Sequence, residues 1–364
     1  MPKKKNLYLI PVLSKALDIL ELIQNENRPL SLEAVHQHTR VSKTTVFRVL
    51  RTLVHRGYIV QAPDRTYRHV VRRRKMRFGF AGQSADMPFS NEVTLSLSDA
   101  ARTVGVELIT LDNRYDGATA VQNIEALIRS GVDLIFEFNV AHEVAPVIGD
   151  RVAASGIPLI AIDIPHPNAI FFGVDNYRAG VDAGELLCAH AAERWRNQAA
   201  WMLGLDLQAA GTLVQGRISG AFEAVRAAIP SLASERYLRM DGRGQFETSR
   251  KAIGEFLDAH PKEKYILIAT ATDTSALGAA AAVRERRRTQ HVAIAGQDCI
   301  ADAVSEMSRA DSPMIGTVSH EPATYGPGLM NLALELLKGQ PVSPYNYVTH
   351  KVVTKSSIPR RTTM

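Results

Sequence analysis

Residues 132–163, "VDLIFEFNVAHEVAPVIGDRVAASGIPLIAID", contain the pattern that decides the fold of most of this chain. Two short apolar runs, "VDLIFEF" and "IPLIAID", have the length and composition of buried strands. The segment between them, "AHEVAPVIGDRVAASG", predicts an amphipathic helix that ends at Gly156. A strand, a helix and a second strand in this order predict parallel strands joined by a right-handed crossover.

The same alternation continues on both sides of this stretch. Strands are predicted at "RFGFAG", which begins at Arg77, and at "VELITLD", and the pattern restarts near Ala199 with "AAWMLGL", "ERYLRMD", "YILIATA" and "HVAIAGQD". Helical segments separate all of them, so the fold class is α/β, with two lobes built on doubly wound parallel sheets. Ligands on such sheets bind at the carboxyl ends of the strands, and two facing lobes leave a cleft there.

Residues 12–69 show a different pattern, that of short helices followed by a hairpin. The first helix, at 12–24, places Leu13, Leu17, Leu20 and either Ile19 or Ile23 on one apolar face. Ser31 and Ser42 are suitable N-caps for two further helices, the second of which contains "SKTTVFRVL" and ends at Gly57. "YIVQAPDRTYRHV" then predicts two short strands around a Pro-Asp turn.

Together these elements predict a winged helix-turn-helix at residues 1–70. Such a domain inserts the N-terminal end of its last helix into the major groove of DNA, while a wing reaches flanking phosphates. The candidate DNA-binding residues are Ser42, Lys43, Thr44, Thr45, Arg48, Arg65 and Arg68. The alternative is a helical interaction domain with a solvated basic face.

The distribution of charge favours the DNA-binding interpretation. Residues 1–77 contain 17 Lys and Arg but only 5 Asp and Glu, whereas the rest of the chain has an excess of acidic residues. A basic segment on an acidic body indicates that this segment alone meets a polyanion such as double-stranded DNA. The basic run at residues 71–76 is either a solvated tether or a second contact with the DNA backbone.

Residues 10–70 resemble the IclR-type winged helix. Thr45 and Arg48 match that family at the start of the recognition helix, and Gly57 and Tyr58 match the Gly-Tyr pair that follows it. The chain departs from the family after Arg68, where His69-Val70 replaces the usual Leu-Gly, and a different body follows.

Residues 77–364 resemble the type 1 periplasmic-binding-protein-like fold, in its ribose/galactose and LacI-type branch. The resemblance rests on the order of stretches such as "IPLIAID", "FFGVDNYRAG", "TATDTSALGA", "VAIAGQD" and "IGTVSHEPATYG". It implies a hinge with crossings near Asp175, His320 and Tyr345. It also implies one lobe at about 77–175 and 321–345, and another at about 176–319 and 346–358.

The same resemblance implies a set of ligand-binding positions. In that fold an aromatic ring stacks on the sugar while charged and amide side chains hold its hydroxyls, and here Phe89 is the candidate ring. The full set of implied ligand-binding residues is Gln83, Asp86, Phe89, Glu137, Asp163, Arg217, Thr272, Asp298 and His320. Asp163 and Asp298 could instead cap turns, and Phe89 could belong to the core.

One departure bears on the ligand. Sugar-binding members of that fold usually have an Arg after the residue that Asp163 matches, whereas this chain has Ile164. Carboxylates accept hydrogen bonds from hydroxyls or amines and repel phosphates. We therefore expect a polyhydroxylated neutral effector (a sugar or polyol) or an amino sugar, and not a sugar phosphate.

Several other functions find no support in the sequence. It contains neither a phosphate-binding glycine loop nor a G-x-S-x-G elbow, so we expect a protein that is not an enzyme and needs no cofactor. His36 and His38 are two residues apart and would lie on different helix faces, which argues against a metal site. Two distant cysteines and no recognisable signal peptide predict a cytoplasmic protein.

These features together predict a ligand-responsive transcriptional regulator, a repressor and homodimer that binds operator DNA. Three alternatives remain open at this stage. The chain could be a sugar kinase-like enzyme with a regulatory helix-turn-helix, a solute-binding transport protein, or an architectural DNA-binding protein whose body only mediates interactions.

Overall fold

The computed structural model describes residues 10–26, 28–69 and 75–358. They form two units that divide between residues 74 and 75, which we call the head and the body. Of the basic linker expected at residues 71–76, only Lys75 and Met76 lie within the described residues. None of the described helices is long and apolar enough to cross a membrane.

The head contains three helices and a two-stranded hairpin, as the sequence predicts. Its elements are α1 (Pro11–Asn25), α2 (Leu32–Thr39), α3 (Lys43–His55), β1 (Ile59–Gln61) and β2 (Tyr67–His69). The Ser31 side chain accepts a hydrogen bond from the Ala34 amide and the Ser42 side chain accepts one from Thr45, so both serines cap their helices. The β1 and β2 strands pair antiparallel and form the wing.

The buried face of α1 differs from the sequence-based prediction. Ile19 and Ile23 are buried against the rest of the head, whereas Leu13 and Leu17 are 53% and 47% exposed. The predicted stripe used one helical period for the whole helix, but the two buried residues of α1 both lie in its second half. An apolar stripe of four residues therefore overestimates the core of this helix.

The first lobe of the body is a six-stranded sheet in which every pair of neighbouring strands is parallel, in the order β13-β7-β6-β5-β3-β4. Its elements are β3 (Arg77–Gly82), α4 (Pro88–Val104), β4 (Glu107–Asp112), α5 (Gly117–Ser130), β5 (Leu134–Glu137), α6 (Ala145–Ser155), β6 (Leu159–Ile162), β7 (Ile170–Val174), α12 (Tyr325–Leu337) and β13 (Tyr345–Val348). The central strands are fully buried, which explains their continuous apolar sequences.

The second lobe is a six-stranded sheet in the order β14-β12-β11-β10-β8-β9, in which only β14 is antiparallel to its neighbour. Its elements are α7 (Asn176–Trp195), β8 (Trp201–Asp206), α8 (Gly211–Ala228), β9 (Tyr237–Asp241), α9 (Phe246–Ala259), β10 (Ile266–Thr270), α10 (Asp273–Glu285), β11 (Val292–Asp298), α11 (Ala301–Ser308), β12 (Met314–Ser319) and β14 (Lys351–Thr354). The predicted α/β fold class with two doubly wound lobes is confirmed.

The chain crosses between the lobes after β7, after β12 and between β13 and β14. The first two crossings lie at Asp175 and His320, where the sequence predicts them. The third was expected near Tyr345, but β13 pairs with β7 in the first sheet, so the crossing lies after Val348. Residues 346–348, which were assigned to the second lobe, therefore belong to the first.

Helices α7 and α8 pack closely because glycines line their contact. A Cβ atom added at Gly180 would lie 2.2 Å from the Arg217 carbonyl oxygen, and one added at Gly220 would lie 2.2 Å from that of Tyr177. The obstacles are backbone atoms that cannot rotate away. This close packing holds Arg217, on α8, at a set distance from the hinge residue Asn176.

Substitution Gly180→Ala is expected to lower the free energy of unfolding of the body by about 1–3 kcal/mol, because it overpacks this contact. Gly216→Ala is the matched control on the same helix pair, since its added Cβ would lie 3.3 Å from the nearest atom, the Tyr177 amide nitrogen. Urea denaturation measures both. Equal losses for the two variants would show that the glycine contact does not set the helix distance.

Candidate functional site

A cavity lies between the two lobes of the body at the carboxyl ends of their strands. The first strand of each lobe lies between two later strands: β3 between β4 and β5, and β8 between β9 and β10. The order of the strands along each sheet therefore reverses at β3 and at β8. Parallel sheets bind ligands at such points. The cavity is lined by Gln83, Met87, Pro88, Phe89, Tyr115, Phe138, Asn139, Val140, Asp163, Ile164, Leu207, Ala210, Val214, Arg217, Thr272, Thr274, Asp298 and Ile300.

Asp163 reaches the cavity from the end of β6. Its backbone is left-handed, with φ of 60°, and its Oδ1 accepts a hydrogen bond of 3.0 Å from the Tyr325 hydroxyl. A Cβ at Gly173, on the adjacent β7, would lie 2.4 Å from the same oxygen, so only glycine leaves room for the carboxylate. Burial raises the pKa of Asp163 to about 6, although Arg217 and Tyr325 act in the opposite direction.

Arg217 is the cation of the cavity and is held from two sides. Its Nε donates to Asn176 Oδ1 at 2.7 Å and its Nη1 donates to the Ala271 carbonyl oxygen at 2.7 Å. Nη1 also lies 3.7 Å from Asp298 Oδ1, at the end of β11. Burial raises the pKa of Asp298 to about 7 even though Arg217 lowers it. The fixed guanidinium therefore faces two carboxyl groups that are poorly solvated.

His320 lies behind Asp298 and does not line the cavity, contrary to the expectation of ligand contact. Gln297 donates through Nε2 to the Ala179 carbonyl oxygen, so its Oε1 accepts from His320 Nε2 at 2.8 Å. Burial lowers the pKa of His320 well below its ordinary value, which leaves Nδ1 unprotonated at 3.3 Å from Asp298 Oδ1. A proton on Asp298 would satisfy both groups. His320 is therefore a positioning partner of Asp298.

Glu137 also lies beneath the cavity rather than in it. Its Oε1 accepts from Asn139 Nδ2 at 2.6 Å and its Oε2 lies 2.9 Å from His166 Nε2, with both side chains fully buried. His166 Nδ1 carries a proton, because it donates to the Ile164 carbonyl oxygen. A second proton, on Nε2 between His166 and Glu137, makes His166 a cation. Burial lowers the pKa of His166, but Glu137 raises it by more, and the net shift is upward. Glu137, the last residue of β5, thus belongs to an internal ion pair.

Of the four remaining predicted ligand residues, three line the cavity and one does not. Gln83, Phe89 and Thr272 line the cavity, although the Thr272 hydroxyl also caps α10 by accepting from the Ser275 amide. Phe89 packs edge-on against three rings, of which Tyr325 is 5.7 Å away, so it is both a core residue and part of the wall. Asp86 is exposed and is not among the residues that line the cavity.

Sequence reasoning missed one whole side of the cavity. Tyr115, Val140, Leu207, Ala210 and Val214 line it, yet none was a candidate. They are ordinary apolar and aromatic residues in loops and at the start of a helix. Their only sequence signal is that four of the five follow strands β4, β5 and β8 within a few residues, at the carboxyl ends where ligands bind.

The candidate DNA-binding surface of the head is exposed. Lys43, Thr44 and Arg48 on α3, and Arg65 and Arg68 on the wing, are all solvent-exposed. Ser42 and Thr45 are hydrogen-bonded to each other through their hydroxyls at 2.9 Å, and Lys43 Nζ lies 2.7 Å from Glu33 Oε2. The first turn of α3 is thus already capped, which leaves Thr44 and Arg48 with the freest side chains.

Comparisons with known proteins agree with this architecture. Residues 78–341 match the periplasmic binding protein domain, and residues 12–63 match the IclR helix-turn-helix domain. A D-ribose/D-allose-binding protein from Pseudomonas aeruginosa is 26% identical over 271 residues, which cover 69% of this chain and 80% of that protein.

Solved structures share the fold of the body. A solute binding protein of an ABC transporter from Mycobacterium smegmatis with bound glycerol has a TM-score of 0.69 at 21% identity, covering 78% of this chain and 95% of that one. An ABC sugar transporter subunit from Rhodobacter sphaeroides has a TM-score of 0.68 at 20% identity, covering 77% and 98%. Both resemblances found in the sequence are confirmed: the chain belongs to the periplasmic binding protein domain family and carries an IclR helix-turn-helix domain before that domain.

Proposed function

We propose that this chain is a DNA-binding transcriptional regulator whose effector is a small neutral sugar, polyol or amino sugar. The observation that carries the proposal is the combination of an IclR helix-turn-helix domain with a body whose cleft holds two buried carboxyl groups and one guanidinium. The similarity to a D-ribose/D-allose-binding protein and to a solute binding protein with bound glycerol supports this chemical class. The protein acts in the cytoplasm as a homodimeric repressor on a pseudo-palindromic operator.

The chemistry of the cleft supports a polyhydroxylated ligand. Asp163 and Asp298 accept hydrogen bonds from hydroxyls, Arg217 donates to ring or hydroxyl oxygens, and Phe89 offers an apolar wall for C–H groups. Hydroxyl donors stabilise the ionised form of both carboxyl groups, whose pKa values burial raises. A phosphate would face two carboxylates and only one cation, so sugar phosphates are excluded as strong ligands.

A binding role fits the described residues better than an enzymatic one. The two family models that match the chain describe a periplasmic binding protein domain and an IclR helix-turn-helix domain. The loop after β3 contains Gln83 and Met87 rather than a glycine-rich phosphate loop. Incubation with ATP and candidate sugars is therefore expected to yield no sugar phosphate.

A thermal-shift assay with a panel of sugars, polyols and amino sugars would identify the effector. A true effector stabilises the folded protein by mass action, so its midpoint of unfolding rises with concentration. The same compounds should change the affinity for operator DNA in a gel-shift assay. Compounds that stabilise the protein but leave operator affinity unchanged would refute the regulatory role.

Arg48→Ala is expected to weaken operator binding about 10- to 100-fold at fixed salt, because an arginine on a base edge is worth about 1–3 kcal/mol. Arg56→Ala removes the same charge at the other end of α3, where the side chain is also exposed, and serves as the control. Fluorescence anisotropy with operator and scrambled duplexes measures both variants. Equal weakening on both duplexes would mean that Arg48 contacts only the DNA backbone.

A further inference from the structure

The lining of the cavity is divided chemically along the edges of the two sheets. Asp163 follows β6 and Asp298 is the last residue of β11, and both strands lie on the hinge side of their sheets. Val140 follows β5 and Leu207 follows β8, which lie further from the hinge. The two carboxyl groups of the lining therefore lie nearer the hinge than Val140 and Leu207 do.

The apolar end is one continuous buried cluster contributed by both lobes. Val140 and Ile164 come from the first lobe, and they pack with four residues of the second lobe, Leu207, Ala210, Val214 and Ala271. All six side chains are at most 6% exposed. Ile164 extends this cluster beside Asp163, at the position where sugar-binding members of the fold usually have an Arg. The six side chains of this cluster join the two lobes by apolar contact.

Tyr115 closes this end of the cavity. It packs on the apolar cluster, and its hydroxyl donates to the Arg243 carbonyl oxygen of the second lobe at 3.3 Å. Next to it, His142 lies against Gly211, where an added Cβ would come within 2.6 Å of the imidazole. The apolar end is therefore covered by a contact between the lobes and is shielded from water.

Polar side chains near this end are already engaged. Asn139 donates to Glu137 and accepts from the Ala141 amide, and the Tyr115 hydroxyl is bonded to Arg243. Only Gln83, after β3, offers an amide without a partner among the described residues. A ligand hydroxyl that lies against Val140, Ile164 and Leu207, out of reach of Gln83, would lose its water and find no acceptor.

We propose that the effector is a deoxy sugar, with hydroxyls along the edge that meets Asp163, Arg217 and Asp298 and a methyl group that fills the apolar end. This inference rests on the proposed function and names the ligand class more narrowly. Ile164 and Val140 are the residues that select the methyl group. A hydrophobic wall rejects an added hydroxyl by up to about 100-fold, so the preference for the deoxy sugar should reach about 10- to 100-fold.

The test is isothermal titration of the full-length protein with matched pairs that differ only at carbon 6. The pairs are D-fucose and D-galactose, L-fucose and L-galactose, L-rhamnose and L-mannose, 6-deoxy-D-glucose and D-glucose, and 6-deoxy-D-allose and D-allose. In the best-binding pair, the deoxy member should bind at least 10-fold more tightly. A parent sugar that binds as well as its deoxy form overturns the inference and leaves the proposed function intact.

A variant pair adds a second readout. Val140→Thr is isosteric and supplies a hydroxyl in the apolar end, so it should reduce the deoxy preference at least 5-fold. Val104→Thr makes the same change on the exposed end of α4 and should leave the preference unchanged. An unchanged preference in Val140→Thr overturns the assignment. Binding by members of the wider panel but by none of these pairs overturns the deoxy inference alone, and no binding by any compound overturns the proposed function with it.

Discussion

Asp298→Asn is expected to weaken effector binding about 30- to 150-fold while operator binding without effector stays at the wild-type level. The substitution keeps the shape of the side chain but replaces a carboxyl group that effector hydroxyls would ionise with a neutral amide, and a hydrogen bond to a charged group contributes about 2–3 kcal/mol. Asp298 is one of two carboxyl groups that line the cavity, and it is 8% exposed. Thermal shift and titration calorimetry with the identified effector measure the loss.

Asp302→Asn is the matched control for this variant. Asp302 lies four residues further on, in the first turn of α11, and its side chain is exposed. The control should bind effector as the wild type does. If Asp298→Asn also retains its ligand shift, Asp298 caps the turn before α11 and has no contact with the effector.

Arg217→Met is expected to lower the free energy of unfolding of the body by about 3–5 kcal/mol at pH 8 and to abolish effector binding. The buried guanidinium donates to Asn176 and to the Ala271 carbonyl oxygen and is the nearest cation to Asp298. Its removal leaves two carbonyl acceptors unpaired and two buried carboxyl groups without a counter-charge, the situation in which broken buried pairs cost most.

The loss should depend on pH with a definite sign. In the wild type, burial raises the pKa values of Asp163 and Asp298 to about 6 and about 7, although Arg217 lowers both. Without Arg217, the two pKa values should rise further. A carboxyl group with a raised pKa in the folded state destabilises the protein above the pKa of the unfolded chain, and this penalty grows until pH exceeds the folded pKa. The difference between wild type and variant should therefore be smaller at pH 5.5 than at pH 8.

Urea denaturation at the two pH values measures this difference. Arg226→Met is the control, because Arg226 is exposed on the same helix and stacks on Tyr237 with 4.8 Å between its guanidinium carbon and the ring centre. It should cost less than about 1 kcal/mol at either pH. A loss for Arg217→Met that is equal at both pH values would mean that its charge does not act on the two carboxyl groups.

The sequence predicts the fold well because the fold rests on local pattern. Strands in both sheets are buried on two faces, so their apolar runs are continuous and easy to find. Helix ends are marked by Ser31 and Ser42 as N-caps and by Gly105 and Gly156 in left-handed conformations. The face of α1 is less predictable, because the packing of α2 and α3 and not its own period decides which leucines are covered.

The site is predictable only where a residue directly ends a strand. Asp163 and Asp298 do so, and the structure brings both to the cavity with Arg217. Glu137 also ends a strand, but His166, 29 residues later, turns it into an internal pair that no spacing reveals. The apolar end of the cavity was not predicted, because apolar residues such as Val140 and Leu207 are common and carry no functional groups. They line the cavity only because the two lobes face each other.

The coupling between effector and operator is the central claim, and one measurement tests it most directly. The effector's dissociation constant is measured by calorimetry twice on the full-length protein, once alone and once saturated with operator duplex. If the protein is an allosteric regulator, operator should change the effector's dissociation constant by about 5- to 150-fold. Linkage requires the effector to change operator affinity by the same factor. An effector affinity that is identical with and without operator would contradict the account.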